Sequence, residues 1–277
     1  GVVYVWSAGN GRQFESNVNY DGFASSRYTI AVGAISGGDG YALYSEPGVS
    51  MLVTAPSGET SINVVTTDYS GLNDPNDGFT EYDDGTDADG DYTSSFNGTS
   101  ASAPMVSGVV ALMLEGNPNL DWRDVQNILV DTAVVNDPDN LEWFANGSGR
   151  LFNPNYGFGL VDAQAAVSRG LSWDRVPRED VLTAGRLVNG ALPDGGVPGI
   201  VSSVALGPED YPLPVEDPPI DPADAEEFFD FFVEHVEVDF SASHPQIGQL
   251  AVTLVSPAGT ASQLAVTNPD SQDDYVG

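Results

Sequence analysis

The stretch that decides the fold is Val2-Val3-Tyr4-Val5-Trp6-Ser7-Ala8-Gly9-Asn10, an apolar run that ends in small residues and a side-chain amide. A short apolar run that stops at a turn signal is typical of a buried strand. Further strands and helices are predicted at 28–35, 51–56, 102–114, 121–132 and 162–169. Because strands alternate with helices, residues 1–172 are predicted to form an α/β domain with a largely parallel sheet.

The rest of the chain has a different character. Residues 207–227 are acidic and rich in proline, which is the composition of a linker or insertion. Alternating strands are predicted at 233–240 and 250–255, with a turn at 256–260 before another short strand. We therefore expect residues 173–277 to comprise a linker and an all-β module.

Charge and composition exclude several classes of function. The 277 residues include 41 Asp and Glu against 8 Arg and no Lys, for a formal net charge of −33. Such a surface repels nucleic acid, and the lack of cysteine removes disulfides, thiolate–zinc sites and thiol nucleophiles. The sequence contains no run of 18 apolar residues, so no membrane span is predicted. The acids form either a solvated, salt-adapted surface or a cation-binding one.

Both ends of the chain interrupt expected structure. Gly1 precedes a strand directly, without a turn or a cap, and no closing strand follows the acidic stretch 270–277. We expect the chain to be a piece of a larger protein. A signal peptide cannot be read from it.

Two segments carry residues suited to acyl transfer. Asn10 lies where a strand ends, at the sheet edge that commonly holds active sites in α/β folds. The segment Asn97-Gly98-Thr99-Ser100-Ala101-Ser102-Ala103-Pro104 places a serine after a glycine turn at the start of a helix. Acyl transfer needs a nucleophile and donors aimed at the developing oxyanion. Taken alone, each segment also fits a plain turn or helix cap.

Together the two segments resemble those of the subtilisin-like serine peptidases. Ser7-Ala8-Gly9-Asn10 is similar to the family's oxyanion-asparagine motif, and Gly98-Thr99-Ser100-Ala101-Ser102-Ala103-Pro104 is similar to its nucleophile motif. Other stretches resemble the kexin/furin-like proprotein convertase branch with its β-sandwich P domain. They are 5–11, 19–24, Tyr44-Ser45-Glu46, 119–126, 156–163, 235–238, 244–245, 248–250 and 254–260.

This resemblance implies a subtilisin-like parallel sheet flanked by helices, followed by an incomplete jelly-roll-like P domain. It assigns Ser100 as the nucleophile and Asn10 as the side-chain oxyanion donor. Ser102 is expected to pack and cap within the helix rather than to react. A substrate-binding role is implied for Ser7, Ala8 and Gly9.

Two acids are candidates for specificity and metal binding. The resemblance implies that Asp21 lines a pocket for a basic substrate residue, although Asp21 also fits a plain turn. A pocket carboxylate selects Arg or Lys through charge-assisted hydrogen bonds. Glu46 matches a ligand of a structural calcium ion, but Ser16 stands where the family often has a second acid. The acidic run 83–91 fits a solvated loop better than a calcium loop, because its spacing departs from the EF-hand pattern.

A catalytic base is missing from the motifs present. The family carries its histidine and aspartate upstream, and His235 and His244 both fall in the β module, where a structural role is expected. We therefore expect a secreted or cell-surface, monomeric serine endopeptidase that cleaves protein after basic residues, with this chain inert alone. The alternatives are a degenerate, non-catalytic subtilase scaffold and a calcium-dependent surface-binding protein.

Overall fold

The structure is a computed structural model that describes most of the chain. The described residues are 1–38, 40–59, 63–67, 92–188, 190, 199–205, 233–267 and 275–276. Two predicted features lie outside them: the acidic run 83–91 and the linker 207–227.

A three-stranded parallel sheet forms the centre of the first part of the chain. Its strands are β1 (Tyr4–Ser7), β2 (Thr29–Ile35) and β3 (Met51–Pro56), in the order β1-β2-β3. Both pairings are parallel, with Ser7 opposite Val32. The central strand β2 is buried along almost its whole length, as a strand covered on both faces must be. The predicted parallel α/β arrangement is confirmed.

Three helices accompany the sheet: α1 (Thr99–Gly116), α2 (Trp122–Thr132) and α3 (Ala163–Leu171). The prediction that α1 begins at residue 102 was wrong by three residues, and Pro104 lies inside the helix. Pro104 is the sixth residue of α1, so it lies beyond the first turn, and its missing N–H leaves the carbonyl of Ser100 without the usual helical donor.

Aspartates begin the other two helices. The Asp121 side chain accepts hydrogen bonds from the N–H groups of Arg123 and Asp124, which completes a capping box for α2. The Asp162 side chain accepts from Ala165 N and begins α3. Both predicted helix starts are confirmed, because a side-chain oxygen replaces the missing helical acceptor.

One hydrophobic core joins the sheet to the helices. It comprises buried side chains of β2, β3, α1 and α2, among them Ile30, Val32, Val53, Val106, Met113, Ile128 and Leu129. The face of α1 that carries Val106 and Val110 packs on the sheet, so burial holds the start of α1 near the ends of the strands.

Short antiparallel pairs complete the described structure. They are β4 (Val64–Thr67) with β5 (Tyr92–Phe96), β6 (Phe144–Ala145) with β7 (Leu151–Phe152), β8 (Ser241–Ala242) with β11 (Tyr275–Val276), and β9 (Val252–Val255) with β10 (Ala261–Ala265). The predicted hairpin around residues 256–260 is present. The strand predicted at 233–240 is absent: no described strand pairs with it, and Val233 and Val236 are exposed. An alternating pattern becomes a strand only with a hydrogen-bonded neighbour.

The chain divides into two compact units. One comprises Gly1–Val176 and Gln246–Gln272, and the other comprises Pro177–Pro245 and Asp273–Gly277. The first holds the parallel sheet, all three helices and the β9–β10 hairpin. The described part of the second holds the short β8–β11 pair. The domain boundary predicted after residue 172 stays a prediction.

Candidate active site

A glycine turn leads into the start of α1. Gly98 has a φ of +84°, which favours glycine, and a Cβ at this position would lie 3.1 Å from Asn10 Nδ2. The backbone of Gly98 is held on both sides: its N–H donates to the Tyr44 hydroxyl at 3.1 Å, and its carbonyl accepts from Ser57 Oγ at 2.8 Å. Ser100 follows as the second residue of the helix, and it is exposed.

Thr99 joins this helix start to the loop after β1. Asn10 Oδ1 accepts hydrogen bonds from Thr99 N and from Thr99 Oγ1, both at 2.9 Å. The same hydroxyl accepts from Gly9 N at 3.2 Å. Because a backbone N–H can only donate, the Asn10 atom facing it must be the oxygen. The amide nitrogen of Asn10 is therefore turned to the other side, beside Gly98.

This arrangement brings together two of the predicted residues, Asn10 and Ser100. Within the described part of the chain, neither Asn10 Nδ2 nor Ser100 Oγ has a hydrogen-bond partner. At the helix start, the Thr99 N–H is bonded to Asn10 Oδ1 and the Ala101 N–H to Gly98 O, so the Ser100 N–H is the donor that remains available among the described contacts. A hydroxyl, an oriented amide donor and a helix N–H in one place can attack a carbonyl and stabilise the resulting oxyanion. Thr99 orients the Asn10 amide. The sequence did not indicate this role, because Thr99 and Asn10 are 89 positions apart.

Ser102 has the structural role predicted for it. Its side chain is fully buried, and Oγ donates to Ala55 O at 3.0 Å. Ser102 thus secures α1 to the end of β3, and its hydroxyl faces the core.

The residues before Asn10 form the end of β1 and the turn that follows. Ser7 is the last residue of β1, and Ala8 is buried, with its N–H bonded to Val32 O at 2.9 Å. Gly9 has a φ of +109°. Their substrate-binding role stays a prediction.

Glu46 lies against the backbone of the turn that contains Gly9 and Gly11. Glu46 Oε1 accepts the Gly11 N–H at 2.8 Å, and Glu46 N donates to Gly9 O at 3.1 Å. A Cβ on Gly9 would lie 2.4 Å from Oε1, so the carboxylate packs directly on the backbone.

Among the described residues, the surroundings of Glu46 offer few of the ligands that a calcium ion takes. Calcium takes six to eight oxygen ligands, usually with several carboxylates. Here one Glu46 oxygen is engaged by Gly11 N–H, and the neighbouring side chain is the hydroxyl of Ser16. Across the described ranges, no three Asp, Glu, His or Cys side chains are grouped as a metal site.

Arg12 continues this anchored loop. Its guanidinium donates to Ser45 O at 2.9 Å and to Asn155 Oδ1, and it lies 3.8 Å from the centroid of the Tyr41 ring. Burial lowers the pKa of the Arg12 guanidinium, while Tyr41 and Glu142 oppose that shift. With its charge satisfied by these partners, Arg12 fixes the chain just after Gly11.

Asp21 lies in an exposed turn of its own. Asp21 Oδ1 accepts from Phe23 N and from Ala24 N, both at 2.8 Å. The other carboxylate oxygen has no hydrogen-bond partner among the described residues. Phe23 stacks on Trp6 at 5.1 Å between ring centroids, which ties the turn to β1.

The two residues before Asp21 bind the β9–β10 hairpin. Asn19 Nδ2 donates to Gln263 O at 3.0 Å and to Leu264 O at 3.1 Å, while Asn19 Oδ1 accepts from Ser50 N at 3.0 Å. The Tyr20 hydroxyl accepts from Val266 N at 2.9 Å. Sequence reasoning missed this anchor, because its partners are 244 or more positions away.

The sequence model of the subtilase family matches residues 1–159, more than half of the chain. The chain belongs to the subtilase family. A second model, that of the proprotein convertase P-domain, matches residues 233–276 of this subtilase chain.

Curated relatives are similar over most of the chain. The human proprotein convertase subtilisin/kexin type 5 is 34% identical over 95% of this chain and 12% of its own length. The rat proprotein convertase subtilisin/kexin type 6 is 35% identical over 95% of this chain and 25% of its own length. These matches confirm the predicted resemblance to convertases. The chain spans from about an eighth to a third of the relatives it matches.

A solved structure has a similar fold. The crystal structure of the serine protease of Aeromonas sobria aligns with a TM-score of 0.68 and 22% identity, over 98% of this chain and 51% of the other. The predicted subtilisin-like fold class is confirmed. Among the described residues, no helix combines the length and apolarity that crossing a bilayer requires.

Proposed function

We propose that this chain is the part of a longer serine endopeptidase that carries the nucleophile and the oxyanion site. Ser100 Oγ attacks the carbonyl carbon of the scissile peptide bond, and its proton passes to a histidine base in the upstream part of the protein. The carbonyl oxygen becomes an oxyanion, which accepts hydrogen bonds from Asn10 Nδ2 and from the helix start. The observation that carries the proposal is the pair of Thr99 hydrogen bonds that turns the Asn10 amide nitrogen toward Gly98.

The remaining steps follow from the same groups. As the tetrahedral intermediate collapses, the C–N bond breaks and the leaving amine takes the proton from the histidine. An ester of Ser100 with the acyl part of the substrate remains. Water hydrolyses this acyl-enzyme by the reverse proton movements.

The proposed substrate is a protein with a basic residue before the scissile bond. The support is Asp21, an exposed carboxylate with one oxygen committed to its own turn and one without a described partner. We also propose, from the resemblance to the convertases, a monomeric enzyme of the secretory route or cell surface.

The test compares the full-length protein with this chain. We expect the full-length protein to hydrolyse peptide amides after arginine, and Ser100→Ala to remove the activity. Ser107→Ala is the matched control, because Ser107 is an exposed serine of the same helix. We expect the 277-residue chain alone to be inactive.

Two results would contradict the proposal. Amidase activity of the isolated chain that is lost in Ser100→Ala would show that no upstream base is needed. Unchanged activity of Ser100→Ala in the full-length protein would favour a scaffold whose serine has no catalytic role.

A further inference from the structure

The family resemblance connects the acid Glu46 with calcium. Glu46 lies within the segment Tyr44-Ser45-Glu46, which joins both halves of the candidate active site. The Tyr44 hydroxyl holds Gly98 before the nucleophile helix, and Tyr44 O accepts from Arg12 N at 3.2 Å. Ser45 is fully buried, and its Oγ accepts from Ala34 N of β2 at 3.0 Å. The segment is thus fixed to the sheet.

From this fixed position, Glu46 grips the backbone on both sides of Asn10. Its N–H donates to Gly9 O, and its Oε1 accepts from Gly11 N. Both glycines lack the Cβ that would collide with it: a Cβ on Gly11 would lie 2.9 Å from Oε1, and one on Gly9 only 2.4 Å. The carboxylate therefore fills the space under the loop.

The side chain of Asn10 is held from the other direction by Thr99. The residue that supplies the oxyanion donor is thus clamped between the helix start and Glu46. One clamp uses a hydroxyl and an N–H, and the other uses a carboxylate that accepts an N–H. A hydrogen bond to an ionised acceptor is about twice as strong as a neutral one.

We propose that Glu46 is a positioning residue of the oxyanion loop, which it holds by accepting the Gly11 N–H and without a calcium ion. Ser16 stands beside Gly11 where the family often has a second acid, so one carboxylate of the kind that calcium favours is missing at this position. The Glu46 carboxylate supports the loop directly. The proposal rests on the proposed function only for the catalytic consequence, since the contact itself can be measured without turnover.

The test measures amide hydrogen exchange in a peptide covering residues 8–16 of the 277-residue chain. Glu46→Gln keeps an oxygen that can accept the Gly11 N–H, whereas Glu46→Leu removes it. We expect exchange of the Gly11 amide to be within about threefold of wild type in Glu46→Gln and roughly tenfold or more faster in Glu46→Leu. We expect millimolar calcium, or its removal by a chelator, to leave the wild-type rate unchanged.

Exchange within α2, remote in sequence from the loop, reports on global folding in each variant. If exchange in α2 is also faster in Glu46→Leu, that variant has lost global stability. The proposal is then tested by the exchange rates of wild type and Glu46→Gln, each measured with and without calcium. A Glu46→Gln exchange rate as fast as that of an unprotected amide would overturn the proposal. So would calcium-dependent protection of residues 8–16 in wild type that Glu46→Gln abolishes, since a ligand of calcium needs the charge.

A kinetic readout in the full-length protein tests the catalytic consequence. Glu46→Leu should lower kcat with little change in KM, and Glu46→Gln should restore most of the loss. In the double variant Asn10→Ala/Glu46→Leu, kcat should fall no further than in Asn10→Ala. If the losses in kcat of the two single variants add up in the double variant, Glu46 does not act through Asn10. An inactive wild-type protein would count against the proposed function and would not affect the hydrogen-exchange result.

Discussion

The proposed oxyanion side of the candidate site, at Asn10, and its proposed specificity side, at Asp21, are built differently. Asn10 is clamped by residues that are far apart in sequence and part of the core structure, because Thr99 is fully buried at the start of α1. Asp21 is exposed, and among the described residues its carboxylate bonds only to the backbone of its own turn. Its flanking residue Asn19 is anchored to the β9–β10 hairpin.

The difference follows from what each side must do. Stabilising an oxyanion requires donors within a few tenths of an ångström of one atom, so the donor is placed on a sheet edge and a helix start. Recognition of a basic side chain depends on a charge interaction that falls off slowly with distance. An exposed turn with peripheral anchors is precise enough for that purpose.

The largest effect is expected from removal of the oxyanion donor. Asn10→Asp keeps an oxygen that can accept both Thr99 hydrogen bonds, but its carboxylate cannot donate a hydrogen bond to an oxyanion. The variant therefore keeps the contact with Thr99 and removes the oxyanion donor. We expect kcat of the full-length protein to fall by about 100- to 1,000-fold with little change in KM. Steady-state kinetics with a peptide amide measures this. An unimpaired Asn10→Asp variant would show that Asn10 is only structural.

The next effect concerns the specificity side. Asp21→Asn keeps an oxygen for the N–H groups of Phe23 and Ala24 but loses the charge. We expect kcat/KM for substrates with arginine before the scissile bond to fall by about 10- to 100-fold. The control is a substrate with a neutral residue there, whose kcat/KM should hardly change. Equal losses for both substrates would mean that Asp21 supports the turn and not selectivity.

A third prediction measures the oxyanion clamp as stability. Thr99→Val leaves the N–H of Gly9 without its acceptor and removes the donor to Asn10. We expect the free energy of unfolding of this chain to fall by about 1–3 kcal/mol, because the fully buried Thr99 hydroxyl loses two hydrogen bonds and the half-buried Gly9 N–H loses its acceptor. Denaturant titration measures it. Thr99→Ser retains the hydroxyl and should lose less, and equal losses would assign the effect to the methyl group.

The smallest effect is expected at the peripheral anchor. Asn19→Ala removes hydrogen bonds to Ser50 and to the β9–β10 hairpin, but water can replace them because Asn19 is only half-buried. We expect a loss of about 0.5–1.5 kcal/mol in the free energy of unfolding. Asn119→Ala, at an exposed turn, is the matched control. A loss as large as that of Thr99→Val would erase the distinction between the two sides.

The secondary structure of the first part could be predicted because its signals are local. Asp121 precedes its helix as a cap, and the apolar run 29–35 needs no partner to be recognised as a buried strand. The strand predicted at 233–240, by contrast, is not formed. Its alternation is a strand signal, but pairing depends on a neighbour that the pattern does not contain.

By itself, the sequence determined the α/β order, the serine at a helix start and the asparagine at a strand end, since each depends on nearby residues. The tertiary structure alone decided which way the Asn10 amide faces, and what the Glu46 carboxylate binds. Those answers depend on atoms 35 and 89 positions apart in the chain. Contacts over such separations arise from packing of the whole unit, and they leave no periodic pattern in the sequence around either residue.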